Sequence, residues 1–111
     1  MVKHSTVVRG EIWLVNLDPP IGSEIQKKRP CVVISPPEMN DHLRTVIIAP
    51  MTTGSHPAPF RIAVRHRNKE GLILLDQIRT IDKARLVKRT GSIAPTALSA
   101  TLATLAEIFA E

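Results

Sequence analysis

Residues 45–52 read Thr-Val-Ile-Ile-Ala-Pro-Met-Thr, and this stretch decides which kind of fold the chain can form. Its continuous apolar run, Val46 to Ile48, is typical of a β-strand that is covered on both faces. Four more β-rich runs, each bounded by Gly, Pro or Asn, lie around it, at 11–17, 31–35, 60–64 and 72–81. Because these runs are short and evenly spaced, they predict an all-β barrel or sandwich.

The last segment of the chain changes its period. Leu98, Leu102, Leu105 and Phe109 recur at helical spacing, and Pro95 suits the first position of a helix. We therefore expect an amphipathic helix of about four turns that packs across the barrel. The predicted fold class is mainly β, a small barrel with a C-terminal α-helix, in one domain that spans residues 1–111.

Composition excludes several classes of protein. The chain has 111 residues, 43% of them apolar, and none of its apolar runs approaches the roughly 20 residues of a membrane span. The N-terminus carries no apolar signal segment, so we expect a cytoplasmic protein without a membrane partner. A single cysteine, Cys31, excludes an internal disulfide and a cysteine-based zinc cage, and the four histidines show no metal-ligand spacing. We expect neither a metal nor another cofactor.

The charge balance points to a polyanionic partner. Lys and Arg number 15 against 10 Asp and Glu, which gives a net charge of +5. The excess is concentrated between Arg61 and Arg89, where nine basic residues face three acidic ones. Nucleic acid is the first candidate for such a surface, although many small proteins are basic for solubility alone.

The segment from Asp18 to Pro30 is the first candidate for a functional loop. It places Glu24 five residues before Arg29 and ends in the basic cluster Lys27-Lys28-Arg29. Pro30 restricts the backbone of the preceding arginine to an extended conformation. A guanidinium held in this way can grip a phosphate through two parallel hydrogen bonds, and the alternative is a solvated basic loop.

Two further polar groups follow predicted strands. Thr52 and Thr53 close the third strand, where their hydroxyls can bind a phosphate or satisfy the turn. Asp76 follows the apolar run 72–75, and a carboxylate there needs a partner, for which Arg79 is a candidate. A structural ion pair and a catalytic acid are equally compatible with this pattern.

The ordered set of these motifs resembles the MazF/PemK family of toxin endoribonucleases over nearly the whole chain. The motifs that carry the resemblance are Arg9-Gly10-Glu11-Ile12-Trp13-Leu14-Val15, Leu17-Asp18-Pro19, Gly22-Ser23-Glu24, Arg29-Pro30, Pro50-Met51-Thr52-Thr53, Asp76-Gln77-Ile78-Arg79-Thr80-Ile81-Asp82 and Gly91. The resemblance implies an SH3-like barrel that forms a homodimer and cuts single-stranded RNA at short specific sequences without a metal. It also implies attack by the ribose 2′-hydroxyl, which leaves a 2′,3′-cyclic phosphate and a 5′-hydroxyl.

The same resemblance assigns catalytic residues. Arg29 matches the family arginine that stabilises the phosphorane, and Thr52 matches the threonine that hydrogen-bonds the scissile phosphate. Glu24 matches the acid that is proposed as the base in one branch of the family. A second branch uses the aspartate at Asp76 as base, together with groups at positions where this chain has Leu74 and Ser23. These departures favour Glu24 as the base and leave the residues around Asp76 as RNA contacts. The full set of implied RNA-binding residues is Ser23, Lys27, Lys28, Thr53, Asp76, Gln77 and Arg79.

The resemblance further implies a cognate antitoxin, whose acidic and disordered C-terminal segment lies over the basic groove. The alternative is a non-catalytic toxin or RNA-binding module on the same barrel, similar to the gyrase poisons of the CcdB type. Those proteins end in Trp-Gly-Ile, whereas this chain ends in Ile108-Phe109-Ala110-Glu111, which disfavours that alternative.

Overall fold

The computed structural model describes residues 6–17, 28–54 and 56–111, and it contains an antiparallel sheet that curls into a half-barrel. The strands and helices are β1 (Glu11–Asn16), β2 (Lys28–Val33), α1 (Pro37–Asn40), β3 (Thr45–Thr52), β4 (Arg61–His66), β5 (Lys69–Leu74), β6 (Arg79–Asp82), β7 (Leu86–Ser92) and α2 (Pro95–Ile108). The order across the sheet is β4-β5-β3-β2-β1-β7, and β6 also pairs with β3. The predicted fold class, a small mainly β barrel with a C-terminal helix, is confirmed.

The sheet buries apolar side chains on both of its faces. Along β3, Val46 and Ile48 belong to one core cluster, whereas Ile47 packs against the other. Along β1, Trp13 belongs to the cluster of Val46 and Ile48, and Ile12 belongs to the other cluster, because successive side chains of a strand point to opposite faces. The expectation that the 46–48 run is covered on both sides is therefore confirmed.

The predicted fifth strand, 72–81, is wrong, because the structure divides it into β5 and β6 with a 3-10 turn at Leu75–Gln77. Both strands run along the same edge of β3: Ile73 pairs with Met51 and Arg79 pairs with Ile48. Pro50 lies opposite the interruption, and it has no N–H to donate to a ladder. The chain therefore leaves the sheet at this point. Strand β5 pairs with Met51 and Thr52 of β3, and β6 pairs with β3 again from Ile48 onward.

Sequence analysis missed β7 altogether and placed the start of β2 too late. Strand β7 reads LVKRTGS, in which only two residues are apolar, and in the described sheet it pairs with β1. An edge strand of this kind needs no alternating apolar face, so it carries little periodic signal. Strand β2 begins at Lys28, so Arg29 lies within a strand rather than in the preceding loop.

Helix α2 begins at Pro95, as predicted, and packs against β4. Leu105 contacts the second core cluster, and Thr101 is fully buried. The last member of the predicted apolar stripe behaves differently, because Phe109 lies just beyond the helix and its exposure is 72%. The stripe is therefore half-buried along the helix and exposed at its end.

Candidate active site

A cavity of about 540 Å³ opens where the ends of β2 and β3 face the β4–β5 hairpin and β7. Its described lining consists of Leu14, Arg29, Pro30, Met51, Thr52, Thr53, His66, Arg67, Lys69, Gly71, Lys88 and Thr90. Arg29, Thr52 and Thr53 form one side, which we call the strand-end wall. The residues His66, Arg67, Lys69, Lys88 and Thr90 form the other side, which we call the hairpin wall.

Arg29 stands on the strand-end wall because of the register of β2. It pairs with Val15 of β1, and Pro30 follows it in the same strand. Arg29 is exposed. Among the described residues, its guanidinium has no hydrogen-bond or ion-pair partner. In the described part of the chain, nothing therefore competes with an anion in the cavity for the donors of this planar cation.

Thr52 ends β3 with its hydroxyl partly oriented by the turn that follows. The backbone N–H of Gly54 donates to Thr52 Oγ1 at 3.3 Å, so the oxygen acts as an acceptor there and the hydroxyl hydrogen stays free to be donated. Gly71 holds β5 close to this strand end, since a Cβ at position 71 would lie 2.9 Å from the carbonyl oxygen of Thr52. Any side chain at position 71 would push the threonine away from β5.

The hairpin wall depends on a tight turn between β4 and β5. Arg67 and Asn68 both have positive φ angles, 52° and 62°, which is the conformation of a two-residue type I′ hairpin turn. Ile62 and Val64 pack on the core, so the alternation of β4 puts His66 on that same face, at the end of the strand. The turn thus directs His66 inward and carries Arg67 to the rim of the cavity.

A hydrogen-bonded chain joins this hairpin to the opposite edge of the sheet. His66 Nε2 lies 3.2 Å from Thr90 Oγ1 on β7, and the Thr90 hydroxyl donates to the carbonyl oxygen of Ile12 on β1 at 3.3 Å. Partial burial, and secondly the charge of Arg67, lower the pKa of His66 below the ordinary value of 6.5. The imidazole is accordingly neutral at neutral pH.

The charge of the cavity is of one sign. Arg29, Arg67, Lys69 and Lys88 contribute four permanent cations, and the described lining contains no carboxylate. Concentration of like charge around a concave surface raises the local potential and attracts anions. The arrangement suits a ligand with more than one phosphate.

The structure brings together some of the residues that were predicted to form the site and separates others. Arg29, Thr52 and Thr53 line the cavity together, and Lys28 is the exposed neighbour of Arg29 at the start of β2. Asp76, Gln77 and Arg79 are exposed and do not belong to the cavity lining. Three predicted residues, Glu24, Ser23 and Lys27, lie outside the described residues.

Asp76 has a structural partner, and it is Arg61 rather than Arg79. Arg61 Nε donates to Asp76 Oδ1 at 3.2 Å and Arg61 Nη2 donates to Oδ2 at 3.1 Å, which is a two-pronged pair. The hydrogen bond from Arg61 lowers the pKa of Asp76 below its ordinary value of 3.8. A carboxylate held in this way is a weak proton acceptor.

Sequence reasoning missed the whole hairpin wall. His66, Arg67 and Lys69 match no motif, and Lys88 and Thr90 lie in a strand that was not predicted. The one signal that could have found them is the excess of basic residues between Arg61 and Arg89. That excess shows that the segment is positive, but not which side chains converge.

Cys31 and the remaining titratable groups supply no second centre in the described residues. Cys31 is fully buried, and burial raises the pKa of its thiol to about 12, so it carries no reactive thiolate. Across residues 6–17, 28–54 and 56–111, no three His, Cys, Asp or Glu side chains are grouped closely enough to hold a metal ion. Over the same ranges, neither helix has the length and apolar character that a membrane crossing requires.

Two known proteins are similar to this chain over most of its length. Endoribonuclease PemK of Escherichia coli is 36% identical over 112 residues, which cover 96% of this chain and 84% of PemK. Endoribonuclease toxin MazF of Escherichia coli is 33% identical over 96 residues, which cover 86% of each chain.

Solved structures share the fold. A mycobacterial endoribonuclease in complex with its cognate antitoxin superimposes with a TM-score of 0.77 at 22% identity, covering 92% of this chain and 93% of the other. MazF of Deinococcus radiodurans superimposes with a TM-score of 0.76 at 22% identity, covering 92% and 94%. Residues 8–109 match the family described as the PemK-like, MazF-like toxin of type II toxin-antitoxin systems. This chain therefore belongs to the PemK-like, MazF-like toxin family.

Proposed function

We propose that this protein is a toxin endoribonuclease that cleaves single-stranded RNA at specific short sequences. The observation that carries the proposal is the cavity that unites Arg29 and Thr52 with three further cations. The PemK and MazF relatives that match the chain over most of its length are named endoribonucleases, which supports the same activity. Cleavage of messenger RNA would stop translation and so inhibit growth.

The cleavage chemistry that suits these residues is internal transesterification. The ribose 2′-hydroxyl attacks the adjacent phosphorus, the bond to the 5′-oxygen breaks, and the products carry a 2′,3′-cyclic phosphate and a 5′-hydroxyl. Negative charge accumulates on the oxygens of the phosphorane in the transition state. The Arg29 guanidinium offers two parallel donors to that charge, and the free hydroxyl hydrogen of Thr52 offers a third. Thr53 and Lys28 flank this pair as RNA contacts.

We propose that no metal takes part, because the side-chain cations of the cavity supply the charge that a metal would otherwise provide. The family resemblance assigns the role of base to Glu24, and this assignment stays a prediction. Asp76 is a poorer candidate, since Arg61 holds its carboxylate outside the cavity. The predicted RNA contacts at Gln77 and Arg79 also stay predictions.

The substrate is single-stranded because sequence-specific recognition of RNA needs unstacked bases whose edges can be reached. A cavity of about 540 Å³ accommodates only a small part of an RNA chain, so the neighbouring nucleotides lie on the surface around it. The residues at 22–28 and 54–59 are expected to set the recognised sequence.

Two protein partners complete the proposal. A related mycobacterial endoribonuclease was solved in complex with its cognate antitoxin, which supports an antitoxin for this chain as well. An acidic antitoxin segment would lie across the cations of the cavity and exclude RNA. A homodimer is supported by the exposed apolar side chains at the end of α2, Ile108 at 42% and Phe109 at 72%.

The test is incubation of the purified protein with a long unstructured RNA, with and without EDTA, followed by chemical analysis of the product ends. We expect cuts at defined sequences, 5′-hydroxyl and cyclic phosphate ends, and no effect of EDTA. A substrate with a 2′-deoxyribose at the cut site should resist cleavage. Binding without cutting would instead support the non-catalytic module, and loss of cleavage with EDTA would contradict metal independence.

A further inference from the structure

Among the described residues that line the cavity, His66 is the one suited to proton transfer near neutral pH. The other charged groups there are Arg29, Arg67, Lys69 and Lys88, whose guanidinium and ammonium cations have no lone pair to accept a proton. Cleavage of RNA through its 2′-hydroxyl requires a group that accepts a proton. His66 is therefore the candidate within the described cavity.

The hydrogen bonds of Thr90 fix the tautomer of this imidazole. The threonine hydroxyl has a single hydrogen, which it donates to the carbonyl oxygen of Ile12. Its oxygen must then accept from His66, so the ring carries its proton on Nε2 and its lone pair on Nδ1. The ring is anchored through one nitrogen while the other nitrogen is basic.

The Cε1–Nδ1 edge of the ring lies beside a glycine, where a side chain would crowd it. Gly91 lies against it, and a Cβ at that position would come within 3.2 Å of His66 Cε1 and 3.6 Å of Nδ1. The described part of the chain provides Nδ1 with no hydrogen-bond partner. Among the described residues, no donor therefore engages this lone pair.

The surroundings favour the neutral ring. Arg67 and Lys69 from the hairpin, Lys88 from β7 and Arg29 from β2 are all positive, while β1 adds the apolar Leu14 to the described lining and the carbonyl of Ile12 as the acceptor for Thr90. No carboxylate of the described lining stabilises an imidazolium. An RNA phosphate that enters the cavity supplies the missing negative charge and raises the proton affinity of the ring when it is needed.

We propose that His66 is a catalytic residue of the RNA cleavage, the base that accepts the 2′-hydroxyl proton. The inference rests on the proposed function. The proton passes to Nδ1 as the 2′-oxygen forms its bond to phosphorus and the bond between phosphorus and the 5′-oxygen breaks. Water donates a proton to the 5′-oxygen, and the imidazolium then returns its proton to the hydroxide so formed. Arg29 and Thr52 hold the phosphate during this step.

The central experiment compares His66→Gln with Thr90→Val in single-turnover cleavage between pH 5 and pH 9. A glutamine amide can still donate to Thr90 but cannot accept a proton. We expect His66→Gln to lower the rate by about 10²- to 10³-fold, with RNA affinity within about threefold. The wild-type rate should rise with pH through the pKa of His66, and this limb should disappear in His66→Gln.

Thr90→Val is the matched control, because it removes the anchor and keeps the imidazole. It should slow cleavage less than His66→Gln does and retain the acid limb of the pH profile. Equal damage by both variants, with the limb retained in His66→Gln, would show that His66 is only a structural link. Loss of the limb in Glu24→Gln and its retention in His66→Gln would likewise overturn the proposal.

Two measurements do not depend on how well His66→Gln folds. The ¹⁵N spectrum of the wild-type histidines should show His66 with its proton on Nε2. The pKa of His66 from an NMR titration should equal the pKa in the pH profile of the rate, and a difference between the two pKa values would contradict the proposal. Gly91→Ala, which crowds Cε1 and Nδ1, should slow cleavage at least severalfold.

A 5′-bridging phosphorothiolate substrate separates a base from an acid, since its thiolate leaves without a proton. It should not rescue His66→Gln if His66 is the base, and full rescue would overturn the assignment. A wild-type protein that cuts no RNA would defeat the proposed function itself. A wild type that cuts while His66→Gln cuts equally well would defeat only this inference.

Discussion

The two walls of the cavity are built in different ways. The strand-end wall comes from β2 and β3, which are direct neighbours in the sheet. Next to the site, Cys31 of β2 pairs with Pro50 of β3. The hairpin wall comes from β4, β5 and β7, of which β4 and β7 lie at opposite ends of the strand order. It exists only because the sheet curls until His66 reaches Thr90.

This difference separates two tasks. The strand-end wall holds a guanidinium and a hydroxyl at positions that local strand pairing determines, which suits groups that must meet a reacting phosphate with precision. Apart from His66 and its anchor Thr90, the hairpin wall adds cations on a turn and an edge strand, where position tolerates more variation. We therefore expect substitutions on the first wall to affect the rate and charge substitutions on the second wall to affect affinity.

Arg29→Ala should have the largest effect. Removal of the guanidinium takes away two donors to the developing phosphorane, and we expect kcat to fall about 10³-fold. Arg29 is exposed, so the melting temperature should stay nearly unchanged. The control is Arg65→Ala, which removes an exposed charge from β4 outside the cavity. A loss of less than tenfold would contradict the primary role of the strand-end wall.

Thr52→Val should have the next largest effect. Valine keeps the shape of the side chain and removes the hydroxyl, which costs one hydrogen bond to a charged group and about 10- to 100-fold in rate. Thr52→Ser restores the hydroxyl and should recover most of the activity. If the valine and serine variants cleave at the same rate, the hydroxyl does not contact the phosphate.

Lys69→Met tests the hairpin wall. Methionine retains the apolar length of the side chain, and we expect RNA binding to weaken about three- to tenfold, equally for cleavable and non-cleavable sequences. The slope of log affinity against log salt should fall by about 0.7, since one fewer counterion site is neutralised on single-stranded RNA. Arg65→Met is the control for net charge. A fall in kcat at saturating RNA, with affinity unchanged, would contradict the proposal that the charges of the hairpin wall act on affinity and not on rate.

Asp76→Asn should have the smallest effect. Because Arg61 lowers the pKa of Asp76, the pair stabilises the folded state above the ordinary carboxyl pKa of 3.8, and this contribution is lost as the pH falls through the lowered value. The variant should melt roughly 2 °C or less below the wild type at pH 7, and the difference should shrink as the pH falls below 3.8, as judged by circular dichroism. Cleavage should stay within about twofold. A large loss of RNA affinity would instead support the prediction that Asp76 contacts RNA.

The sequence was a good guide wherever the signal is local. The run Val46 to Ile48 predicted a strand buried on both faces, and Pro95 predicted the start of α2; both are confirmed. Pro50 was recognised only as part of a strand, whereas its missing N–H contributes to the division between β5 and β6. Strand β7 carried too few apolar residues to be recognised, and with it Lys88 and Thr90 were missed.

The sequence by itself determined the fold class, the basic character of the molecule and the motif residues Arg29 and Thr52, because strand periodicity, charge and short motifs are properties of neighbouring residues. Only the tertiary structure decided that Asp76 pairs with Arg61 and that His66 is anchored to Thr90 beside Gly91. These contacts join residues 15 to 25 positions apart in the chain. Their geometry depends on the curl of the whole sheet, which no short segment of the sequence encodes.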